Sequence, residues 1–227
     1  MGRRFQELAF TPHVKEHQQE HGSRRQYDRM EKAAPQGDDA LGPAEKDFIQ
    51  RRDSFYMASV SETGWPYVQH RGGPKGFVRI LNPALLGFAD LRGNKQYVSL
   101  GNFEHDSRVA LFFMDYPNQT RLKILGRAEV HEHDKEAAAL IESFRPTDKS
   151  DIIERVILIH VEGFDWNCPQ YITPRYTVEE LQDVLAPVRE KLAKLEAENA
   201  ALRAVASPPL GASDQIQPGP SPANDQS

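Results

Sequence analysis

Two short runs hold the residue types best suited to chemistry. One is Tyr67-Val68-Gln69-His70-Arg71-Gly72-Gly73-Pro74-Lys75-Gly76. The other is Gly87-Phe88-Ala89-Asp90-Leu91-Arg92-Gly93-Asn94-Lys95-Gln96-Tyr97. Each reads as a strand that runs into a basic, glycine-bearing loop. Such loops bind anions, because glycine lets backbone N–H groups approach closely and Arg or Lys supplies charge. Arg92, Asn94 and Lys95, close together at a strand end, form a candidate phosphate cradle. The run is not a P-loop, since a Gly-Lys-Ser/Thr ending is missing, and not a Rossmann turn, since G-x-G-x-x-G is missing. A solvated basic turn between strands is the other reading of the same residues.

The elements that must position these loops are short strands. Ser54–Ser61 reads as a strand, Glu62-Thr63-Gly64-Trp65 as a hairpin turn, and Pro66 opens the next strand at its first residue, where proline is tolerated. Phe77–Leu81, Asn82-Pro83 and Leu85–Ala89 make another strand–turn–strand. Val98–Glu104 suits a short helix or turn. Arg108–Met114 is nearly continuous apolar sequence, and Arg121–Val130 alternates apolar and polar residues as a half-buried strand does. The run from Ile152 to Phe164 holds the last long strand. Many short strands at regular spacing predict an antiparallel barrel or sandwich.

In this order the elements resemble the FMN-binding split-barrel family typified by pyridoxamine 5′-phosphate oxidase. The similarity runs over about residues 46–172. It rests on Gly64-Trp65-Pro66 at the hairpin, Phe88 followed seven positions later by Lys95, Asn102, the Val109–Phe113 strand, and Arg121 five residues before Gly126. The resemblance implies a mainly β fold: an antiparallel split β-barrel with peripheral helices. It implies FMN as the cofactor, a small organic substrate and a homodimer that holds the flavin between subunits. Lys95 matches the family's phosphate-binding Lys, whereas Asn94 stands where the oxidase has Arg and Gly93 where it has Ser. Arg92 would have to compensate. His70, Arg71 and Gly72 fall near the strand that contacts the isoalloxazine, with Lys75 near its terminal Lys. Phe88, Ala89 and Asp90 lead into the phosphate loop. Arg121 matches a Gln that reaches the flavin from the second subunit, and Trp166 a Trp that approaches it from there. Pyridoxamine phosphate itself is a poor match as substrate, because Arg175 is the only basic residue between Trp166 and Arg189.

Composition sets outer bounds. Of the 227 residues, 39% are hydrophobic and 27% charged, and the net charge is −5. That balance suits a globular protein and argues against nucleic acid as a partner. A single cysteine, Cys168, excludes an intramolecular disulfide and suggests a reducing compartment. Cys168 has no neighbouring base in sequence and reads as a small hydrophobe. No apolar run reaches membrane-spanning length. The start, Met1-Gly2-Arg3-Arg4-Phe5-Gln6, lacks the apolar stretch of a signal peptide, and Gln6 stands where a myristoylation motif needs Ser or Thr. A cytoplasmic protein is expected.

The barrel, residues 46–175, is expected to follow a polar arm and linker over 1–45. His13, His17 and His21 recur every fourth residue with Glu16 and Glu20 between them, but the outer two would lie about 12 Å apart along a helix, too far to share an ion. They read as a solvated face, and His131 and His133 as a polar strand end. No Ser/His/Asp arrangement or Cys/His metal spacing stands out, and flavin chemistry needs none. Two functions follow: an FMN-dependent oxidoreductase, or a flavin-binding module without turnover.

Beyond the barrel, Thr177-Val178-Glu179-Glu180 is a capping box that predicts a helix over 176–205. Leu181, Val188, Leu195 and Leu202 alternate with Leu185, Leu192 and Asn199 in a heptad pattern. Pro187 predicts a kink or break near Asp183. The second half is expected to pack either on a helix of another subunit or on its own barrel. The Pro-, Gly-, Ser- and Gln-rich residues 206–227 are expected to be disordered.

Overall fold

The computed structural model describes residues 2–33, 39–132, 135–145, 152–166 and 169–206. His133, Cys168 and the tail beyond Ala206 lie outside them, as does the middle of the linker at 34–38. Residues 1–175 form one unit and 176–227 a second.

The first unit is built on a seven-stranded antiparallel sheet. Its strands are β1 (Ser54–Val60), β2 (Pro66–Gly72), β3 (Arg79–Asn82), β4 (Leu85–Leu91), β5 (Arg108–Asp115), β6 (Thr120–His131) and β7 (Ile153–Trp166). They lie in the order β2-β1-β5-β6-β7-β4-β3. The end strands β2 and β3 are not paired with each other, so the curled sheet is a split barrel. Strict alternation of buried and less buried residues in β1 and β5 turns one side chain in two toward the interior. Phe55 sits at the centre, with ring centroids 4.9 Å from Phe113, 5.2 Å from Phe88 and 5.8 Å from Phe77. The middle of β7, residues 155–159, is buried on both faces. Ile157 and Ile159 fill the barrel, while Val156 and Leu158 pack under α6 (Lys135–Ser143) with Phe144. That double cover explains why this strand reads as a continuous apolar run.

The hairpin between β1 and β2 turns at Gly64, whose φ of +83° is open to glycine at no steric cost. Pro66 opens β2 as expected. The stretch after β4 forms a helix, α5 (Val98–His105).

The N-terminal region begins with α1 (Arg3–Ala9), α2 (Pro12–Glu20) and α3 (Arg24–Ala33), and α4 (Pro43–Gln50) leads into β1. α1 docks on β7 with Phe5 buried. At Gly163 a Cβ would lie 2.7 Å from the Phe5 nitrogen, so only glycine permits this approach. α1 has no cap of its own. Instead Asp39, buried and distant in sequence, accepts hydrogen bonds from the amides of Arg4 (3.2 Å) and Phe5 (3.0 Å), and from Phe164 on β7 (3.2 Å). A carboxylate there satisfies orphan amides and favours the positive helix end. Asp39→Ala should therefore cost about 1–2 kcal/mol, the upper range for losing a cap. Urea unfolding measures the loss, and faster tryptic cleavage at Arg3 and Arg4 should accompany it.

The second unit contains α7 (Val178–Ala206). The capping box forms: Thr177 N–H donates to Glu180 Oε2 (2.8 Å) and Glu180 N–H to Thr177 Oγ1 (3.2 Å). The break expected near Asp183 does not occur, and Pro187 lies inside one unbroken helix. Proline removes the hydrogen bond to the Asp183 carbonyl and crowds that carbonyl, but the helix continues through it. Among the described residues no helix is long and apolar enough to cross a membrane.

Candidate phosphate-binding groove

The barrel's open side holds a groove of about 190 Å³ between β2, the end of β4 and the start of α5. Its β2 wall is Tyr67, Gln69 and Arg71, every second residue of the strand. In register these face Ser59, Met57 and Phe55 of β1. His70, one residue off, is exposed on the opposite face with its ring 5.6 Å from that of Tyr56. The period of two thus separates His70 from Arg71.

Arg71 is anchored across the split. Its Nη1 donates to Asp90 Oδ1 at the end of β4, and its guanidinium carbon lies 5.8 Å from the Phe88 ring centroid. Its Nε is buried and finds no hydrogen-bond partner among the described residues. Asp90 is itself buried, and its second oxygen accepts from Arg155 Nη1 at 2.8 Å. Arg155 faces Asp90 directly in the β4–β7 register. It also donates to Glu132 (2.6 Å) and Glu154 (3.2 Å). Burial works against the Arg155 charge, but hydrogen bonds to Glu132 and Asp90 outweigh it and raise the pKa above the usual arginine value. Two arginines thus share one carboxylate, and Arg71 keeps a free donor. At this point the register shifts between Asp90 and Leu91, leaving Glu154 as the extra residue of a bulge that lines the groove.

The loop from Gly93 to Tyr97 closes the other side. Lys95 has φ +60° and Tyr97 φ +53°, two left-handed residues that are not glycine. Such backbone carries strain of order 1–3 kcal/mol per residue and concentrates at binding sites. The turn brings Lys95 to the groove, where it makes no ion pair among the described residues, and leads straight into α5. Among the described residues no side chain caps α5, and its first residues, Val98, Ser99 and Leu100, line the groove. Their amides have no acceptor within the helix. Asn94 Oδ1 accepts from the Gln96 amide (3.2 Å), which shapes the loop and leaves the Asn94 side-chain N–H groups for other partners. Ser99 Oγ donates to Gln69 Oε1 (2.8 Å), tying the helix start to β2.

Other residues singled out in the sequence stand elsewhere. Arg92 pairs with Glu154 (3.2 Å) and does not itself line this groove. Lys75 and Ala89 line a separate cavity of about 390 Å³ beside Phe144, and Gly72 N-terminal to it holds the end of β2. Asn102 is buried and donates to Ser59 Oγ (2.8 Å), joining α5 to β1. The Trp166 indole N–H donates to Glu45 (2.7 Å) and its ring packs edge-on to Phe48 at 4.8 Å, so its one donor is satisfied. Arg121 lies on the outer face of β6, 5.7 Å from the Phe112 ring, and its Nε is another buried donor without a partner among the described residues. Tyr56 shares that face in register with Phe112. The nearby Tyr116 hydroxyl is shifted up by burial and by its hydrogen bond with Tyr56. His17, Glu20 and His21 bring ligand atoms within 4.8 Å of one another on exposed α2, and none of them lines the groove.

The sequence reading missed Arg155 and Gln69 as site residues. Gln69 was recoverable, since it shares the Arg71 face of β2. Arg155 had no local signal, because only the β4–β7 register brings it to Asp90.

The family described as pyridoxamine 5′-phosphate oxidase matches residues 41–165, more than half of the chain. The protein belongs to that family. Solved structures resemble this pyridoxamine 5′-phosphate oxidase family member over little more than half its length. HupZ of Group A Streptococcus is 16% identical, with TM-score 0.46, over 60% of this chain and 99% of that one. A pyridoxamine 5′-phosphate oxidase-like protein of Lactobacillus delbrueckii is 24% identical, with TM-score 0.44, over 56% and 94%. An FMN-binding protein of Syntrophomonas wolfei is 9% identical, with TM-score 0.42, over 54% and 83%. No curated protein matches the sequence.

Proposed function

We propose that the protein binds FMN by its phosphate in this groove and acts, as a homodimer in the cytoplasm, as a flavin-dependent oxidoreductase on a small organic substrate. The observation that carries this reading is Arg71, a guanidinium fixed by Asp90 with a buried Nε that has no partner among the described residues. A buried donor left unsatisfied is costly, and an anion in the groove would relieve it. Lys95, the free amides at the start of α5 and the Asn94 amide complete a donor set suited to one phosphate. Among the described residues no second glycine-bearing loop lines this groove to hold the pyrophosphate of FAD or NAD, since Gly73-Pro74-Lys75-Gly76 lines the separate cavity. A bound flavin would itself supply the electron-accepting chemistry. The chain's part is to bind, orient and neutralise.

The groove's size supports the homodimer. At about 190 Å³ it falls below the roughly 300 Å³ at which ligand sites usually begin, so it suits a phosphate end rather than a whole flavin. A second subunit would have to supply the remaining wall. Arg121, with its unpaired Nε on the outer sheet face, is the residue we assign to that contact.

Titrating flavin-free protein with FMN and following fluorescence quenching tests the reading. Lys95→Ala should weaken binding about ten- to hundred-fold, the worth of one charge-assisted hydrogen bond of roughly 1.5–3 kcal/mol. His131→Ala should leave it unchanged. Equal affinity in wild type and Lys95→Ala would remove the phosphate assignment. Stopped-flow reduction of the bound flavin by NADH or NADPH separates an enzyme from a binding module.

A further inference from the structure

The unbroken course of α7 extends the heptad pattern to just over four heptads over its 29 residues. With Pro187 inside the helix, Val178, Leu185, Leu192 and Asn199 occupy one seam position (a). Leu181, Val188, Leu195 and Leu202 occupy the other (d). The apolar members are all exposed, from 40% at Leu185 to 71% at Val178. Pro187 falls on the side away from the seam, among Ala186, Ala193, Ala197 and Ala200.

We propose that α7 forms a parallel, in-register two-stranded coiled coil with α7 of a second copy of this chain. Three features select that occupant. The first is the period. A strict seven-residue repeat drifts by about 20° per heptad around a straight helix. Over four heptads the stripe winds away from any flat surface, and a supercoiled helix follows it. The second is charge. In a parallel pair each g residue faces the e residue five positions on in the other helix. Lys191 then faces Glu196, and Glu198 faces Arg203, each twice per dimer. Within one helix Lys191, Glu196 and Arg203 have no opposite charge three or four residues away. These charges therefore find their partners across a seam.

The third feature is Asn199, which sets the orientation. Parallel, in-register pairing puts it against its own copy, where two amides hydrogen-bond. An antiparallel pair can also match the charges, but it sets Asn199 opposite Val188 and leaves its amide unpaired.

The test uses the full chain in a Cys168→Ser background with one new thiol. Asn199→Cys or Leu202→Cys should form a covalent dimer readily under oxidised glutathione. Ala197→Cys, on the outer face, should react with a small disulfide reagent but cross-link at least ten-fold more slowly. Lys191→Glu should slow the Asn199→Cys cross-link, and adding Glu196→Lys should restore it. Flavin absorbance, followed in parallel, keeps this outcome separate from the cofactor assignment. The proposal is overturned if the thiols at 199 and 202 are reactive yet cross-link no faster than that at 197. It is equally overturned if the charge exchange fails to restore the rate.

Discussion

Asp90→Ala should lower the free energy of unfolding by about 3 kcal/mol, the lower end of the range for breaking a buried ion pair. Asp90 is the one carboxylate between two guanidinium groups with side chains only 15% (Arg71) and 8% (Arg155) exposed. Removing it strands Arg71, which has no other acidic partner among the described residues. Arg155 keeps Glu132 and Glu154, which holds the cost to the low end. A loss of that size lowers the melting temperature by about 6–12 °C in a domain of this length. Arg92→Ala breaks a pair whose arginine is 49% exposed and should cost under about 1 kcal/mol. Urea unfolding of the two variants beside the parent decides the matter. An Asp90→Ala midpoint as close to the parent as that of Arg92→Ala would show that Asp90 does not hold the split closed.

The strands were legible because their physics is local. Alternation in β1, β5 and β6, Gly64 in the hairpin and Pro66 at a strand start all act within a few residues. The Thr177 capping box was legible for the same reason. Of the kink or break expected at Pro187, the break did not occur, since the turns on both sides hold one helix across it. The docking of the N-terminal region had no signature. Its anchor is Asp39, which caps α1 from 34 residues away and bonds to Phe164 125 residues away.

The candidate site divides along the same line. Lys95 and Asn94 were visible because a basic loop after a strand is a local pattern. Arg71 was visible by type, but His70 came with it until the pleat assigned the two to opposite faces. Arg92 could not be separated from Lys95 by composition. It pairs with Glu154, the bulge residue of the neighbouring strand β7, which only the strand register brings beside it. Asp90 and Arg155 lie 65 residues apart, and nothing short of the strand register joins them.

Removing both cations should have the largest effect on ligand binding. In the proposed complex, the double variant Arg71→Ala, Lys95→Ala would delete two charge-assisted contacts of roughly 1.5–3 kcal/mol each. Their sum of about 3–6 kcal/mol corresponds to a loss in FMN affinity of order 10²- to 10⁴-fold. Both contacts would share one phosphate, so the measured sum should deviate from additivity, and the double-mutant cycle reads that coupling. The fold should survive, because Asp90 retains Arg155 when Arg71 is gone. Riboflavin, which lacks the phosphate, is the control: its binding should respond little to either substitution. A double variant that loses FMN and riboflavin equally would mean the cations act on the ring or on the fold. One that retains FMN at the parent's affinity would mean that the phosphate is held elsewhere.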